Sequence, residues 1–157
     1  MRKKNREIKD PAVLESILST ATICHLAMMD GNRPYLLPFN FGYHDGCLYI
    51  HAACEGKKID LLKQNNRVCF EVTLQADVIP GEKPCHWSTR YRSIVGYGRV
   101  DIITDFDEKC QGLDILMRQQ GFQGALQYEK GSVDLMVILK VTIDEMTGKQ
   151  SKDWCTN

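Results

Sequence analysis

The sequence predicts a small antiparallel β-barrel with a few short helices. Large apolar side chains alternate with other residues over 35–43 and 68–74, which is the period of a half-buried strand. Asp-Gly pairs at 30–31 and 45–46 are typical of hairpin turns. Successive strands mostly lie too close in sequence for the crossovers that parallel sheets need, so about six strands in meander order are expected.

Length and composition favour one domain, 1–157, with a basic extension over 1–10 and a polar tail over 145–157. Hydrophobic residues make up 43% and charged residues 25%, which is usual for a globular protein. Twenty basic residues balance twenty acidic ones, and this zero net charge argues against a nucleic-acid-binding surface. No apolar run is long enough to cross a membrane and no export signal is visible, so a soluble cytoplasmic protein is expected.

Seven cysteines are spread along the chain without a Cys-x-x-Cys pair. An odd number of cysteines in an expected cytoplasmic protein favours reduced, mostly buried thiols. Cys85 and His86 are adjacent, but no second close pair supplies the four donors of a structural zinc site. The sequence therefore predicts no metal.

Local signals place the individual elements. Asp10 and Pro11 suit the N-cap and first position of a helix. Pro38 falls in the opposite register to the apolar residues of 35–43, so this strand needs an edge position or a bulge, which leaves backbone groups free for a ligand. The remaining patterns predict helices over 11–20, 57–65 and 106–119, strands over 23–29, 47–53, 91–103 and 135–143, and a loop over 75–88.

The most specific chemical signal lies where the strand 47–53 runs into Gly56-Lys57-Lys58 at the start of an amphipathic helix. A helix start offers unpaired N–H groups and a partial positive charge, and glycine lets a ligand approach the backbone closely. Lys57 and Lys58 add mobile cations, so the pattern favours a phosphorylated small molecule. The alternative is that both lysines form a solvated face of the first turn.

Three stretches together carry a family resemblance: 34–41, 48–58 and 91–100, with 145–149 as a closing motif. In this order and spacing the chain resembles the flavin-binding split-barrel proteins, within the pyridoxamine-phosphate-oxidase-like group that includes nitroimidazole-resistance proteins. The resemblance implies a mainly β fold, a six-stranded antiparallel split β-barrel of the FMN-binding type. It also implies a homodimer that holds FMN at the subunit interface, with contacts from both chains.

The resemblance assigns roles to individual residues. Lys57 and Lys58 would bind the phosphate, and His51, Ala52 and Ala53 would line the ribityl chain and the ring edge. Backbone groups and a wall would come from Pro38, Asn40 and Phe41, and ring contacts across the interface from Arg92, Ser93 and Ile94. Relatives often have serine in place of Ala52, so one hydroxyl that could bind the phosphate or ribityl oxygens is missing. The two lysines must therefore contribute more to phosphate binding here. The chain also ends without the basic and histidine residues that grip a vitamer phosphate, so pyridoxamine phosphate is not the expected substrate.

A flavin would itself supply the electron-transfer chemistry. His51 is a candidate proton donor, or alternatively a hydrogen-bonding partner of the cofactor. Trp87 and Tyr91 are candidates for the substrate pocket, with Trp87 as an apolar lid or a packing plug. We therefore expect an FMN-dependent oxidoreductase that takes electrons from NADH, NADPH or another donor and reduces a small planar acceptor such as a nitroaromatic. The alternatives are a flavin-binding store or sensor without turnover, and haem or a deazaflavin in place of FMN.

Overall fold

The computed structural model describes residues 4–154. Of the expected basic extension and polar tail, residues 1–3 and 155–157 lie outside this described part. No helix within it is both long and apolar enough to span a membrane.

Eight strands and four α-helices make up the described chain. The strands are β1 (Glu7–Ile8), β2 (Ile23–Asp30), β3 (Arg33–Asn40), β4 (Gly42–His44), β5 (Cys47–Ala53), β6 (Arg67–Ile79), β7 (Ser88–Ile103) and β8 (Met136–Gln150). The helices are α1 (Pro11–Thr20), α2 (Lys57–Gln64), α3 (Phe106–Gln119) and α4 (Lys130–Asp134). Short 3₁₀ turns occupy Lys4–Arg6, Pro84–His86 and Lys152–Trp154.

All strands belong to one antiparallel sheet in the order β3-β2-β6-β7-β8-β5-β4, with β1 beside β8. The sheet curls but stays open between β3 and β4, which confirms the predicted split-barrel class. The meander order holds only in part, because β2 pairs with β6 and β5 with β8. The strand count exceeds the expected six because β1 is a short additional strand and because the strand expected over 35–43 is interrupted at Phe41, which separates β3 from β4.

Three strands extend further than the sequence predicts. The loop expected over 75–88 is shorter and spans only 80–87, since β6 continues to Ile79 and β7 begins at Ser88. A register shift between Thr73 and Gln75 interrupts the alternation there and hides the continuing strand. The residues expected as a polar tail belong to β8 as far as Gln150, where they pair with β7.

The main core fills the inside of the curled sheet. Its largest fully buried side chains include Phe70, Ile50 and Leu139 from the strands, Phe41 from the break between β3 and β4, and Ile17 from α1. A second, smaller cluster lies on the other face of β8, where Leu113 of α3 and Val133 of α4 pack on Ile138. This arrangement explains why β8 is apolar on both faces, as the sequence predicts for a central strand.

The edge position predicted for Pro38 is confirmed, because β3 pairs only with β2 in the described sheet. Tyr35, Leu37 and Phe39 of this strand point inward and pack against the main core. The alternate side chains of Pro38 and Asn40 are exposed on the outer face. The outer face of β3 is therefore available to a ligand.

Candidate functional site

Strand pairing is interrupted between β3 and β5, and we call the resulting gap in the sheet the cleft. β4 pairs with β5 up to Gly42, which lies opposite Tyr49, and the ladder stops there. Continuing the same register would place Asn40 opposite His51 and Pro38 opposite Ala53. Instead β3 diverges to pair with β2, although parts of β3 and β5 remain within 8 Å between Cα atoms. Four predicted site residues therefore line the two sides of one cleft, all with exposed side chains.

The Gly-Lys-Lys turn, residues 56–58, lies at one end of this cleft. Gly56 is the N-cap of α2 with φ 108°, a conformation that L side chains rarely adopt, and a Cβ at this position would meet nothing within 4 Å. No side chain caps the helix, and the Gly56 carbonyl accepts hydrogen bonds from the amides of Ile59 and Asp60. The earlier amides, at Lys57 and Lys58, are thus available to an anion beside an open space.

The two lysine side chains of this turn differ in their partners. The Lys57 ammonium is 2.6 Å from the Asp30 carboxylate and 4.9 Å from the centre of the Tyr35 ring on β3. The hydrogen bond with Asp30 raises the pKa of Lys57, which therefore stays charged. Lys58 is half-buried and forms no ion pair with any residue of 4–154. A bound phosphate would compete with Asp30 for Lys57, whereas no paired carboxylate would compete with it for Lys58.

The C-terminal end of α3 closes the other end of the cleft. Asn40 Nδ2 donates to Gln120 Oε1 at 3.2 Å, and Gln120 Nε2 donates to the Phe41 carbonyl at 3.1 Å. A Cβ on Gly42 would lie 2.7 Å from the Leu116 backbone, so only glycine allows α3 to approach β4 this closely. Helix α3 is thus fixed directly beside the outer face of β5.

This placement of α3 forms a pocket beside His51, which we call the His51 pocket. Its volume is about 370 Å³, and its walls are mostly apolar. The principal lining residues are His51, Leu113, Leu116, Met117, Tyr128 and Met136. The pocket lies between β5, α3 and the segment that leads through α4 to β8.

Buried polar contacts hold the walls of the His51 pocket in place. Tyr128 Oη donates to Asp114 Oδ1 at 2.9 Å. Desolvation and this hydrogen bond raise the pKa of Tyr128 well above its usual value, so the phenol remains neutral. Lys109 is buried, and its Nζ donates to the carbonyls of Val133, at 2.7 Å, and Met136, at 3.2 Å. These contacts fix both ends of α4 against α3 and β8.

Three of the predicted cofactor-binding residues direct their side chains into the core instead. Phe41 and Ile94 are fully buried, and Ala52 is 5% exposed. These side chains cannot contact a ligand in the cleft, so any contribution of these residues is limited to their backbone. Of the residues expected to contribute backbone groups and a wall, Pro38 and Asn40 have exposed side chains, whereas Phe41 does not.

The predicted ring contacts from β7 lie far from the cleft of their own chain. Ser93 is opposite Lys149 at one end of β8, whereas Ala52 is opposite Val137 at the other end. The Arg92 guanidinium lies 4.2 Å from the centre of the Trp154 ring, and its Nε donates to Gln150. Within one chain, the residues 92–94 and the Gly-Lys-Lys turn do not meet.

Trp87 and Tyr91 are likewise not brought to His51 within one chain. Trp87 is 56% exposed at the start of β7, and Tyr91 lies beside Lys149. Neither lines the His51 pocket. The sequence analysis missed that pocket because its walls come from the polar connection after α3, which carries no periodic pattern. Its only sequence signal is that Leu113, Leu116 and Met117 share one face of α3.

The described cysteines are all free thiols, but the expectation that most are buried is wrong. Cys24 and Cys47 are buried, whereas Cys54 and Cys85 are exposed. Burial raises the pKa of Cys24 to about 12, so this thiol stays protonated. Within residues 4–154, no group of three or more potential ligand side chains is arranged to hold a metal ion.

An open antiparallel barrel with a cleft at its split and a glycine-lysine helix start at one end defines a split-barrel protein of the kind that the sequence resembles. The sequence model of the family described as pyridoxamine 5'-phosphate oxidase matches residues 10–150. The chain belongs to this family. No curated protein is similar enough to count as a match.

Solved structures with the same fold include a Bacteroides thetaiotaomicron protein described as a candidate 5-nitroimidazole antibiotic resistance protein. It is 36% identical over 92% of this chain and 86% of its own, with a TM-score of 0.81. An FAD- and haem-binding protein from Mycobacterium smegmatis is 21% identical over 94% of this chain and 74% of its own, with a TM-score of 0.78. A flavocytochrome from Azotobacter vinelandii is 17% identical over 97% of this chain and 72% of its own, with a TM-score of 0.79.

Proposed function

We propose that this protein is an FMN-dependent oxidoreductase that reduces a small planar acceptor such as a nitroaromatic. The observation that carries the proposal is the Gly-Lys-Lys turn, which ends an open cleft with two lysines and uncapped helix amides. The printed descriptions of the relatives support it, since they include a candidate nitroimidazole resistance protein and flavin-binding proteins. Family membership alone also allows an oxidase.

The residues present fit a flavin phosphate and its attached chain. Lys57, Lys58 and the first amides of α2 would bind the phosphate, because charge-assisted hydrogen bonds to an anion are the strong ones. The small Ala53 side chain and the exposed Asn40 amide would flank the chain that leads towards His51. Since Ala52 points inward, this stretch offers the cofactor backbone groups and not a side-chain hydroxyl.

An exposed apolar surface on the sheet supports the proposed homodimer. Register places Leu36, Ala27, Cys69 and Tyr97 side by side across β3, β2, β6 and β7. Leu36 is 57% and Tyr97 53% exposed, and exposed apolar patches of this kind mark interaction sites. A second copy of the chain on this face could bring its residues 92–94 towards the first cleft. This would reconcile the expected role of those residues with their distance from the cleft of their own chain.

When bound, the flavin would supply the transfer of electrons to the acceptor. The chain would orient the acceptor, exclude water through the apolar walls beside His51, and provide a proton. His51 is exposed at the mouth of its pocket, and an imidazole can hold or deliver a proton near neutral pH. The electron donor in this proposal is NADH or NADPH.

Absorption spectroscopy followed by a turnover assay tests the proposal. The freshly purified protein should carry an oxidised flavin spectrum and release FMN on denaturation. NADH or NADPH should bleach this spectrum without oxygen, and addition of a nitroaromatic should restore it. A Soret band would contradict the flavin assignment, and a bound flavin that no acceptor reoxidises would favour a store or sensor.

A further inference from the structure

We propose that the His51 pocket is the acceptor site, and that it selects neutral, flat, largely apolar molecules and rejects anionic ones, phosphorylated vitamers included. This inference rests on the proposed function, since it assigns the substrate subsite and its specificity. The pocket lies on the outer face of β5 beside the candidate proton donor and is distinct from the Gly-Lys-Lys turn at the end of that strand.

The size and walls of the pocket suit one small aromatic molecule. A volume of about 370 Å³ lies near the lower end of the range typical of small-molecule sites. Leu113 and Leu116 form a buried wall, while Met117 and Met136 are only partly buried. Methionine side chains adapt to different shapes and make favourable contacts with aromatic rings. The walls therefore favour flat apolar molecules without demanding one particular shape.

The charges around the pocket disfavour an anion. No lysine or arginine is among the lining residues, and Glu129 places a carboxylate at the rim. Two cations lie nearby, and both have partners: the Lys109 ammonium donates to the Val133 and Met136 carbonyls, and the Arg118 guanidinium donates to the Phe122 carbonyl. Tyr128 donates its hydroxyl proton to Asp114, so its Oη is not a free donor. An anion entering the pocket would lose hydration without gaining a positive partner, which is costly.

The polar groups that remain at the rim can hold a neutral acceptor. His51, Gln127 and Ser132 each supply a hydrogen-bond donor at the edge of an otherwise apolar cavity. A nitro or carbonyl oxygen can accept from these donors while its ring packs against the methionines. A few polar groups that fix orientation in an apolar cavity are typical of small-molecule sites.

The matched ligands nitrobenzene and 4-nitrobenzoate test charge selection directly. Isothermal titration of the purified protein should show nitrobenzene binding at least about tenfold more tightly than 4-nitrobenzoate. Glu129→Gln should increase the affinity for 4-nitrobenzoate several-fold and leave that for nitrobenzene unchanged. Glu108→Gln, which removes an exposed carboxylate of α3 outside the pocket, should change neither affinity. Equal affinities in the unmodified protein, or no effect of Glu129→Gln, would overturn the proposal.

Filling the pocket tests its location. Ser132→Trp adds a large ring from an exposed position at the rim and should weaken nitrobenzene binding at least about tenfold. Leu135→Trp is the matched control, because Leu135 is 77% exposed and does not line the pocket. Unchanged nitrobenzene binding in Ser132→Trp would overturn the proposal. Loss of flavin from this variant would also overturn it, because that result would mean that the pocket holds the cofactor. Nitrobenzene binding requires no turnover. A protein that binds nitrobenzene as expected but never reduces it would therefore contradict the proposed function and not the assignment of the pocket.

Discussion

The two ends of the cleft differ in the charge that they offer. At the Gly-Lys-Lys turn, two lysines and uncapped amides lie beside the open space at Gly56, and the Asp30 carboxylate is paired with Lys57. Beside His51, the walls are mostly apolar, no lysine or arginine lines the pocket, and the Tyr128 phenol is kept neutral by burial and by Asp114. The difference suggests that one end grips an ionic group while the other accommodates an uncharged one. A molecule with a phosphate at one end and a flat ring at the other matches this gradient.

The largest expected effect comes from removing both cations of the charged end. Lys57→Ala combined with Lys58→Ala should weaken FMN binding by about 100-fold or more, because two charge-assisted contacts of about 1.5–3 kcal/mol each are lost. Fluorescence titration of the apoprotein measures this effect, and the melting temperature without FMN should change little. Lys63→Ala, in the last turn of the same helix, is the control and should retain full affinity. Unchanged FMN affinity in the double variant would show that the turn does not bind phosphate.

A smaller effect, on the free energy of unfolding, is expected when α3 is forced away from the neutral end of the cleft. Gly42→Ala would place a Cβ 2.7 Å from the Leu116 backbone and force α3 away from β4. Overpacking of this kind costs about 1–3 kcal/mol of unfolding free energy, measured by urea denaturation. Gly131→Ala is a suitable control, since its Cβ would meet nothing within 4 Å. If Gly42→Ala retained the stability of the unmodified protein, the close approach of α3 would not restrict this position.

Releasing Lys57 from its carboxylate partner should change FMN binding in the opposite direction, towards higher affinity. Asp30→Asn removes the competitor for the ammonium and should strengthen FMN binding by about two- to fivefold, with little effect on stability, because exposed ion pairs contribute little. The control is Asp45→Asn, which alters an exposed carboxylate outside the cleft. Weaker FMN binding in Asp30→Asn would indicate that the carboxylate positions the lysine and does not compete for it.

The last effect concerns pH at the neutral end. The folded protein raises the pKa of Tyr128, so its contribution to stability is complete below the usual tyrosine pKa of 10.0 and is lost as pH rises through the higher folded value. Tyr128→Phe should therefore lower the unfolding free energy by about 1 kcal/mol at pH 8, and this difference should shrink above pH 10. Urea denaturation at pH 8, 9.5 and 10.5 measures it. A difference that grew with pH would contradict the raised pKa.

Local signals were sufficient to predict the charged end of the cleft from the sequence. Gly56 requires a positive φ, the lysines follow at a helix start, and Pro38 is compatible only with an edge or a bulge. Each of these properties depends on a few adjacent residues. The first helix and the hairpin between β2 and β3 follow for the same reason, since Asp10 caps the helix and Gly31 occupies the turn.

The neutral end depends on contacts that no local pattern encodes. Its walls join β5 to residues of α3 and α4 that lie far along the chain, and Asp114 and Lys109 fix them through hydrogen bonds across that distance. The sequence places Trp87 in the substrate pocket because a large apolar ring in a loop resembles a lid. The register shift after Thr73 concealed that this loop is the tip of a long hairpin on the opposite part of the sheet.

The open edge of β3 creates a risk of aggregation as well as a binding surface. An unpaired strand edge is a template on which other chains can add strands and aggregate. Pro34 and Pro38 both lie in this strand, and proline lacks the N–H group that such an added strand would need. These two prolines thus protect the opening against uncontrolled self-assembly.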